Sequence, residues 1–324
     1  MSAMQIALFS NPSRIYLVGC DATSGHFTRP KNLTKDRVFK QEKDIAIAVP
    51  SNRVIDIFVY GCIPKTRKFM ANAPLKKNHN KEMRYFMKTI ALLTGRGNNT
   101  LKDKNILDIL GHPVMYYPAH AGKMAKSIDS FYCSSDDVKI LDAAEKEGYS
   151  RILRPDYLGA PTAQHVDVIK HAVDEISHHE DMGEILVVLL ANNVTVKSEW
   201  IDDCVEMMKK DMSISAIVPV YEDNDHHPLR AKTVDDNGYL QMYEKNSKGK
   251  ISTNRQDLPK CYFLSHNFWV LNTRMMLEKN FQGQQPWGFM GDKIAYYEID
   301  ESIDIHKKID LFIAKEWIKE NYTD

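Results

Sequence analysis

Residues 87–107 read MKTIALLTGRGNNTLKDKNIL, and the reading of the fold starts from them. Thr89–Leu93 is a short apolar run of strand type. It leads into the small-residue loop Thr94-Gly95-Arg96-Gly97-Asn98-Asn99-Thr100, followed by Lys102, Lys104 and Asn105. A loop of this composition presents backbone N–H groups that no large side chain obstructs. Such loops cradle phosphates, and cations at their rim neutralise the charge. Far along the chain, residues 301–316 read ESIDIHKKIDLFIAKE: a short β-branched strand carrying Asp304 and Asp310, then an amphipathic helix. A cationic loop after the first strand and carboxylates before the last helix suit a triphosphate and its metal. Nucleotide transfer is the resulting expectation.

Outward from this segment, strands and helices alternate. Pro113–Ala125 reads as a helix and Ser127–Cys133 as a strand. Asp137–Gly148 reads as a helix that begins at the cap cluster Ser134-Ser135-Asp136-Asp137 and closes on glycine. His165–Ser177 is an amphipathic helix and Glu184–Leu190 a buried strand. Lys197–Asp211 places Ile201, Val205 and Met208 on one helical face, and Ser215–Tyr221 is a strand. Strands separated by helices of this length imply a mainly parallel sheet covered on both faces. Residues 222–263 are polar and turn-rich, with Asp235-Asp236-Asn237-Gly238 as a hairpin turn, and read as an excursion from the sheet. Strands resume at Asn267–Leu271 and Ile294–Ile299, and the helix Asp310–Asn321 closes the pattern.

Residues 1–86 form an N-terminal extension. They offer a helix at Ala3–Phe9, strands at Arg14–Val18 and Val54–Tyr60, and a basic linker, PKTRKFMANAPLKKNHNKEMRY, at 64–85. Two strands and one helix are too little to bury an independent core. The main domain therefore runs over 87–324.

Composition narrows the function. The 324 residues carry 43 Lys+Arg and 43 Asp+Glu, and no basic stripe interleaves with aromatics, so no nucleic-acid partner is expected. The longest apolar run, Ile185–Ala191, is seven residues, against about 20 for a membrane span. No membrane insertion and no secretory signal are expected. Cys20, Cys62, Cys133, Cys204 and Cys261 are odd in number and widely spaced. That pattern argues for free thiols in a reducing compartment, so a cytoplasmic protein is the expectation.

Several uncommon segments occur in a fixed order: Arg96 and Lys104-Asn105; Ser134-Ser135-Asp136; Leu153-Arg154-Pro155-Asp156-Tyr157-Leu158; His226-His227-Pro228-Leu229; Asn254-Arg255-Gln256-Asp257-Leu258-Pro259; and Ser302-Ile303-Asp304-Ile305 with Asp310-Leu311 and Ala314. In this order, over about residues 87–324, they resemble the CMP-sialic acid synthetases, the acylneuraminate cytidylyltransferase family. The resemblance implies an α/β, Rossmann-like nucleotidyltransferase fold of three layers, with a mainly parallel sheet and a small inserted dimerisation lobe at 222–263. It implies transfer of CMP from CTP to the anomeric hydroxyl of a nonulosonic acid, releasing pyrophosphate, with Mg²⁺ as cofactor and Mn²⁺ as the alternative. Arg96 and Lys104 would be catalytic, and Gly97, Asn105, Asp136 and Arg154 would bind the nucleotide. Arg230, Arg255 and Gln256 would bind the sugar acid, because arginine's fork suits a carboxylate. Asp304 and His306 would hold the metal. A homodimer is implied, with Arg255 reaching the neighbouring subunit's site.

Three departures from the family pattern stand out. His306 replaces the second carboxylate of the closing Asp-Ile-Asp, and imidazole suits softer ions than Mg²⁺. Leu190-Ala191-Asn192-Asn193-Val194-Thr195 lacks a glutamine that the family uses near the sugar. The first loop is about one residue short and lacks Ser-Lys-Gly, with Lys102 as the candidate substitute. Two alternatives stay open: a cytidylyltransferase for an eight-carbon keto-deoxy acid, and a weakened domain that binds nucleotide without turnover. Trp200, Trp269, Trp287 and Trp317 read as packing residues, Cys133 and Cys204 as buried apolar positions, and His178-His179 as a solvated helix end. Residues 6–25, IALFSNPSRIYLVGCDATSG, resemble a late stretch of bacterial sialyltransferase-like, motility-accessory domains. That implies the truncated tail of a fused transferase.

Overall fold

The structure, a computed structural model, describes residues 14–18, 38–40, 46–48, 56–60, 87–97, 99–245, 249–278 and 283–322. The chain divides into two compact units, Met1–Met83 and Arg84–Asp324. In the first, Arg14–Val18 pairs in parallel with Asp56–Tyr60, and Val38–Lys40 pairs antiparallel with Ala46–Ala48. The helix expected at Ala3–Phe9 and the linker at 64–85 lie outside the described residues.

The second unit is built on one sheet. Its strands are β1 (Thr89–Thr94), β2 (Ser130–Ser135), β3 (Ser150–Leu153), β4 (Ile185–Leu190), β5 (Ala216–Glu222), β6 (Tyr262–Leu264), β7 (Phe268–Asn272) and β8 (Ile294–Glu298). The core runs β4-β1-β2-β3, all parallel. β7 lies antiparallel between β4 and β5. β6 continues antiparallel along β5, and β8 runs parallel to it. Helices α1 (Tyr116–Met124), α2 (Val138–Lys146), α3 (His165–Ser177), α4 (Ser198–Lys210) and α5 (Lys308–Asn321) connect and flank these strands.

The period of two in a strand sends alternate side chains to opposite faces, and β1 uses both. Ala91 and Leu93 join Ala119, Ile140, Leu141, Ile201, Cys204 and Val205 in one core. Ile90 and Leu92 join Ile169, Ala172, Val173 and Ile176 of α3, with Trp269, in the other. Three layers follow, because every β1 residue is buried on one side or the other. Trp269 is 1% exposed, and its indole Nε1 donates to the Ser265 carbonyl at 3.3 Å. Trp269→Ala removes that bulk from a closed core and is expected to cost about 3–5 kcal/mol, read as a lowered urea midpoint at unchanged slope.

α3 and Arg14–Val18 have the boundaries that the sequence predicts. Several other elements differ. The α1 helix starts at Tyr116, not Pro113, because His112-Pro113 pairs with Asp108-Ile109 across a turn with Leu110 at φ 54° and Gly111 at φ 88°. The strand expected before the last helix is a single bridge, Asp304 to Asn193. β3 and β6 are additional: each is only three or four residues long, and β6 begins at the end of the polar excursion. That excursion, 222–263, contains the expected hairpin, with Lys232–Val234 against Leu240–Met242 around a Gly238 at φ 84°. Among the described residues no helix is long and apolar enough to cross a membrane.

Candidate active site

In parallel sheets, ligands bind beyond the carboxyl ends of the strands, where the chain leaves neighbouring strands in opposite directions. Here that place is between β1 and β4. β1 ends at Thr94 and β4 at Leu190, and the segments that follow them, Gly95-Arg96 and Asn192, line a cavity of about 220 Å³. Arg154, which follows β3, and His165, at the start of α3, complete its wall.

Four predicted residues meet there: Arg96, Lys104, Asn105 and Arg154. Lys104 and Asn105 sit on a short 3₁₀ turn and are 9% and 2% exposed. Lys104 Nζ donates to the Ile305 carbonyl at 3.1 Å, which ties the first loop to the approach of α5. Burial lowers the Lys104 pKa, Asp304 pulls it up, and Arg96 pushes it down further. Asn105 Nδ2 donates to the Arg96 carbonyl at 2.9 Å, and its Oδ1 is buried with no partner among the described residues. Buried acceptors are normally satisfied, and this oxygen is an exception. Arg154 is held by Ser134, with Nε donating to Oγ at 2.9 Å and Nη2 to the carbonyl at 2.6 Å. Burial lowers its pKa to about 10, against the attraction of Asp136; it remains a cation at neutral pH. Arg96 Nη1 donates to the Ala160 carbonyl at 3.3 Å.

Gly97 and Asp136 meet each other and do not line the cavity. The Gly97 N–H donates to Asp136 Oδ1 at 3.1 Å, and the Gly95 N–H to the Ser134 carbonyl at 3.3 Å. These two amides, expected to face phosphate, are thus occupied in holding the loop against β2. The approach is close enough that a Cβ at Gly97 would lie 2.6 Å from the Asp137 Cβ.

Asp304 and His306 are brought together, His306 Nε2 lying 3.0 Å from Asp304 Oδ2. Asn192 Nδ2 donates to the other Asp304 oxygen. Asp310 instead caps α5, accepting from the His306 and Lys307 N–H groups at 2.7 Å each. No group of three or more His, Cys, Asp or Glu among the described residues is arranged to hold a metal ion. One carboxylate beside the cavity still fits a divalent cation that arrives with phosphate oxygens and keeps its waters, as Mg²⁺ does.

The residues predicted for the sugar form a separate group. Arg255 Nη1 donates to Asp225 Oδ2 at 2.6 Å and Arg230 Nη1 to Asp225 Oδ1 at 3.4 Å. Gln256 is exposed beside Arg255 on a 3₁₀ turn. None of the three lines the cavity.

Thr94, His165 and Asn192 line the cavity and are not among the site residues that the motifs assign. Asn192 is visible in the sequence only as a departure from the family pattern. His165 carries no signal beyond its place at the start of an amphipathic helix.

A family model described as cytidylyltransferase matches residues 90–308. The chain is 25% identical to 3-deoxy-manno-octulosonate cytidylyltransferase of Thermodesulfovibrio yellowstonii over 61% of this chain and 79% of that one. It is 24% identical to pseudaminic acid cytidylyltransferase of Campylobacter jejuni, over 60% and 83%. The fold matches that of a CMP:2-keto-3-deoxy-manno-octonic acid synthetase solved with CTP. There the TM-score is 0.53 at 12% identity, covering 72% of this chain and 99% of the other. The chain belongs to the cytidylyltransferase family and is a nucleotidyltransferase.

Proposed function

We propose that the cavity beyond β1 and β4 takes CTP and that the protein transfers CMP to the anomeric hydroxyl of a nonulosonic acid, releasing pyrophosphate. The observation that carries this reading is the convergence of Arg96, Lys104 and Arg154 with the unpartnered Asn105 Oδ1 in one cavity. Both relatives described above carry a sugar acid in their names. Arg96 and Lys104 would lie along the triphosphate, where charge moves to the departing pyrophosphate; preorganised cations are most effective at such a place. Asn105 Oδ1 would accept from a hydroxyl or amino group of the nucleotide. In the reaction, the sugar oxygen bonds to the α-phosphorus as the bond from that phosphorus to the bridging oxygen breaks, pyrophosphate departing and the hydroxyl proton passing to solvent. A divalent cation held by Asp304, with His306 beside it, would polarise the phosphate oxygens and neutralise the leaving group.

We also propose that the lobe 222–263 is a dimer contact. Val234, Tyr239, Leu240 and Tyr243 are 62–70% exposed on or beside its hairpin. A lone two-stranded hairpin gains little stability by itself, and exposed apolar clusters of this kind mark interaction surfaces. In a dimer, Arg255 could exchange Asp225 for the carboxylate of a sugar acid bound in the neighbouring subunit.

The test is pyrophosphate release from purified protein supplied with CTP, Mg²⁺ or Mn²⁺, and each of a panel of eight- and nine-carbon keto-deoxy acids. Release that requires CTP and one nine-carbon acid is expected. Release with the eight-carbon acid alone would replace the substrate; none with any acid would remove the proposal.

A further inference from the structure

The cavity lining is of two chemical kinds. Arg96, Asn99, Lys104 and Asn105 are cationic and polar, whereas Leu158, Ala163, Val168 and Leu190 are apolar. A triphosphate suits the first group and a pyrimidine ring the second. His165 belongs to the same segment as Ala163 and Val168 and also lines the cavity.

The contacts of His165 admit the tautomer that base recognition requires. Its Nε2 lies 3.1 Å from Thr94 Oγ1, and that hydroxyl donates its single proton to the Leu189 carbonyl at 3.3 Å. A carbonyl oxygen can only accept, so with the hydroxyl proton on the carbonyl the hydroxyl accepts from the ring. In that arrangement the proton of neutral His165 is on Nε2, and Nδ1 carries a lone pair. Trp269, 5.2 Å away between ring centroids, packs against the imidazole.

The geometry points to His165 as the residue that reads the base, its Nδ1 accepting a hydrogen bond from the exocyclic amino group of cytosine. Uracil presents a carbonyl oxygen at the same place, and two acceptors face to face repel. Buried polar groups left unpaired by the wrong ligand discriminate far better than apolar contacts do. Burial, reinforced by Arg154 and His266, lowers the His165 pKa to about 3. The acceptor therefore persists at neutral pH. Thr94 acts through His165, as a positioning residue. This assignment rests on the cytidylyl-transfer reading.

The test is equilibrium binding of CTP and UTP, by calorimetry, to wild type and to the variants His165→Ala, His165→Asn and Thr94→Val. Wild type is expected to prefer CTP, and His165→Ala to lower the CTP:UTP affinity ratio about tenfold or more. Asparagine, whose Oδ1 can stand near the imidazole Nδ1, should restore most of the ratio. Thr94→Val frees the ring to place its proton on Nδ1, which should raise UTP affinity relative to CTP. It also carries the test if His165→Ala fails to fold. An unchanged ratio in His165→Ala overturns the assignment, as does a parallel loss of both affinities, the mark of a purely structural role. Wild type that binds neither triphosphate removes the cytidylyl-transfer reading itself, and this inference with it.

Discussion

Replacing Lys104 by alanine is expected to lower kcat/KM for CMP transfer about 1,000-fold while leaving the fold at least as stable as wild type. The two effects separate because the lysine is buried for a reason other than stability. Its side chain is 9% exposed, and its ammonium donates to the Ile305 carbonyl. Desolvation is the largest influence on it and lowers its pKa below 10.5, so the folded state binds its proton less tightly than the unfolded chain does. Between the lowered pKa and 10.5 the unfolded chain holds more protons, so stability rises with pH in that window. Lys104→Ala abolishes that rise, and urea melts at increasing pH measure it. Activity follows the opposite logic, since a desolvated cation is most effective where phosphate charge accumulates. A Lys104→Ala enzyme with nearly normal turnover would remove the lysine from the chemistry.

Asp304→Asn is expected to reduce turnover by a comparable factor and to flatten its response to Mg²⁺. The substitution keeps the shape and removes the carboxylate that meets the His306 imidazole and acts most strongly among carboxylates on Lys104. Asn192, which donates to Asp304, would then face an uncharged partner. The companion variant His306→Asp places a second hard oxygen ligand beside the first. It is expected to lower the Mg²⁺ concentration that gives half-maximal rate and to weaken any preference for Mn²⁺. Metal titrations of the three proteins decide the matter. A metal response unchanged in Asp304→Asn would move the cation site elsewhere.

What the sequence determined by itself is whatever depends on local period and composition. The burial of β4, the boundaries of α3 and the turn at Gly238 can all be read from neighbours a few residues apart. The ordered motifs likewise assign Arg96, Lys104, Asn105 and Arg154 to one site, and the cavity brings those four together. What only the tertiary structure decided is which group each polar atom meets. Thr94 and His165 are 71 residues apart, Asn192 and Asp304 112, and Lys104 and Ile305 201. The same holds for the Gly97 amide, given to Asp136 and so withheld from phosphate, and for Arg255, engaged by Asp225. Periodicity encodes which face of an element is buried, but a hydrogen bond requires two atoms within about 3 Å, and only the packed sheet brings such distant segments that close.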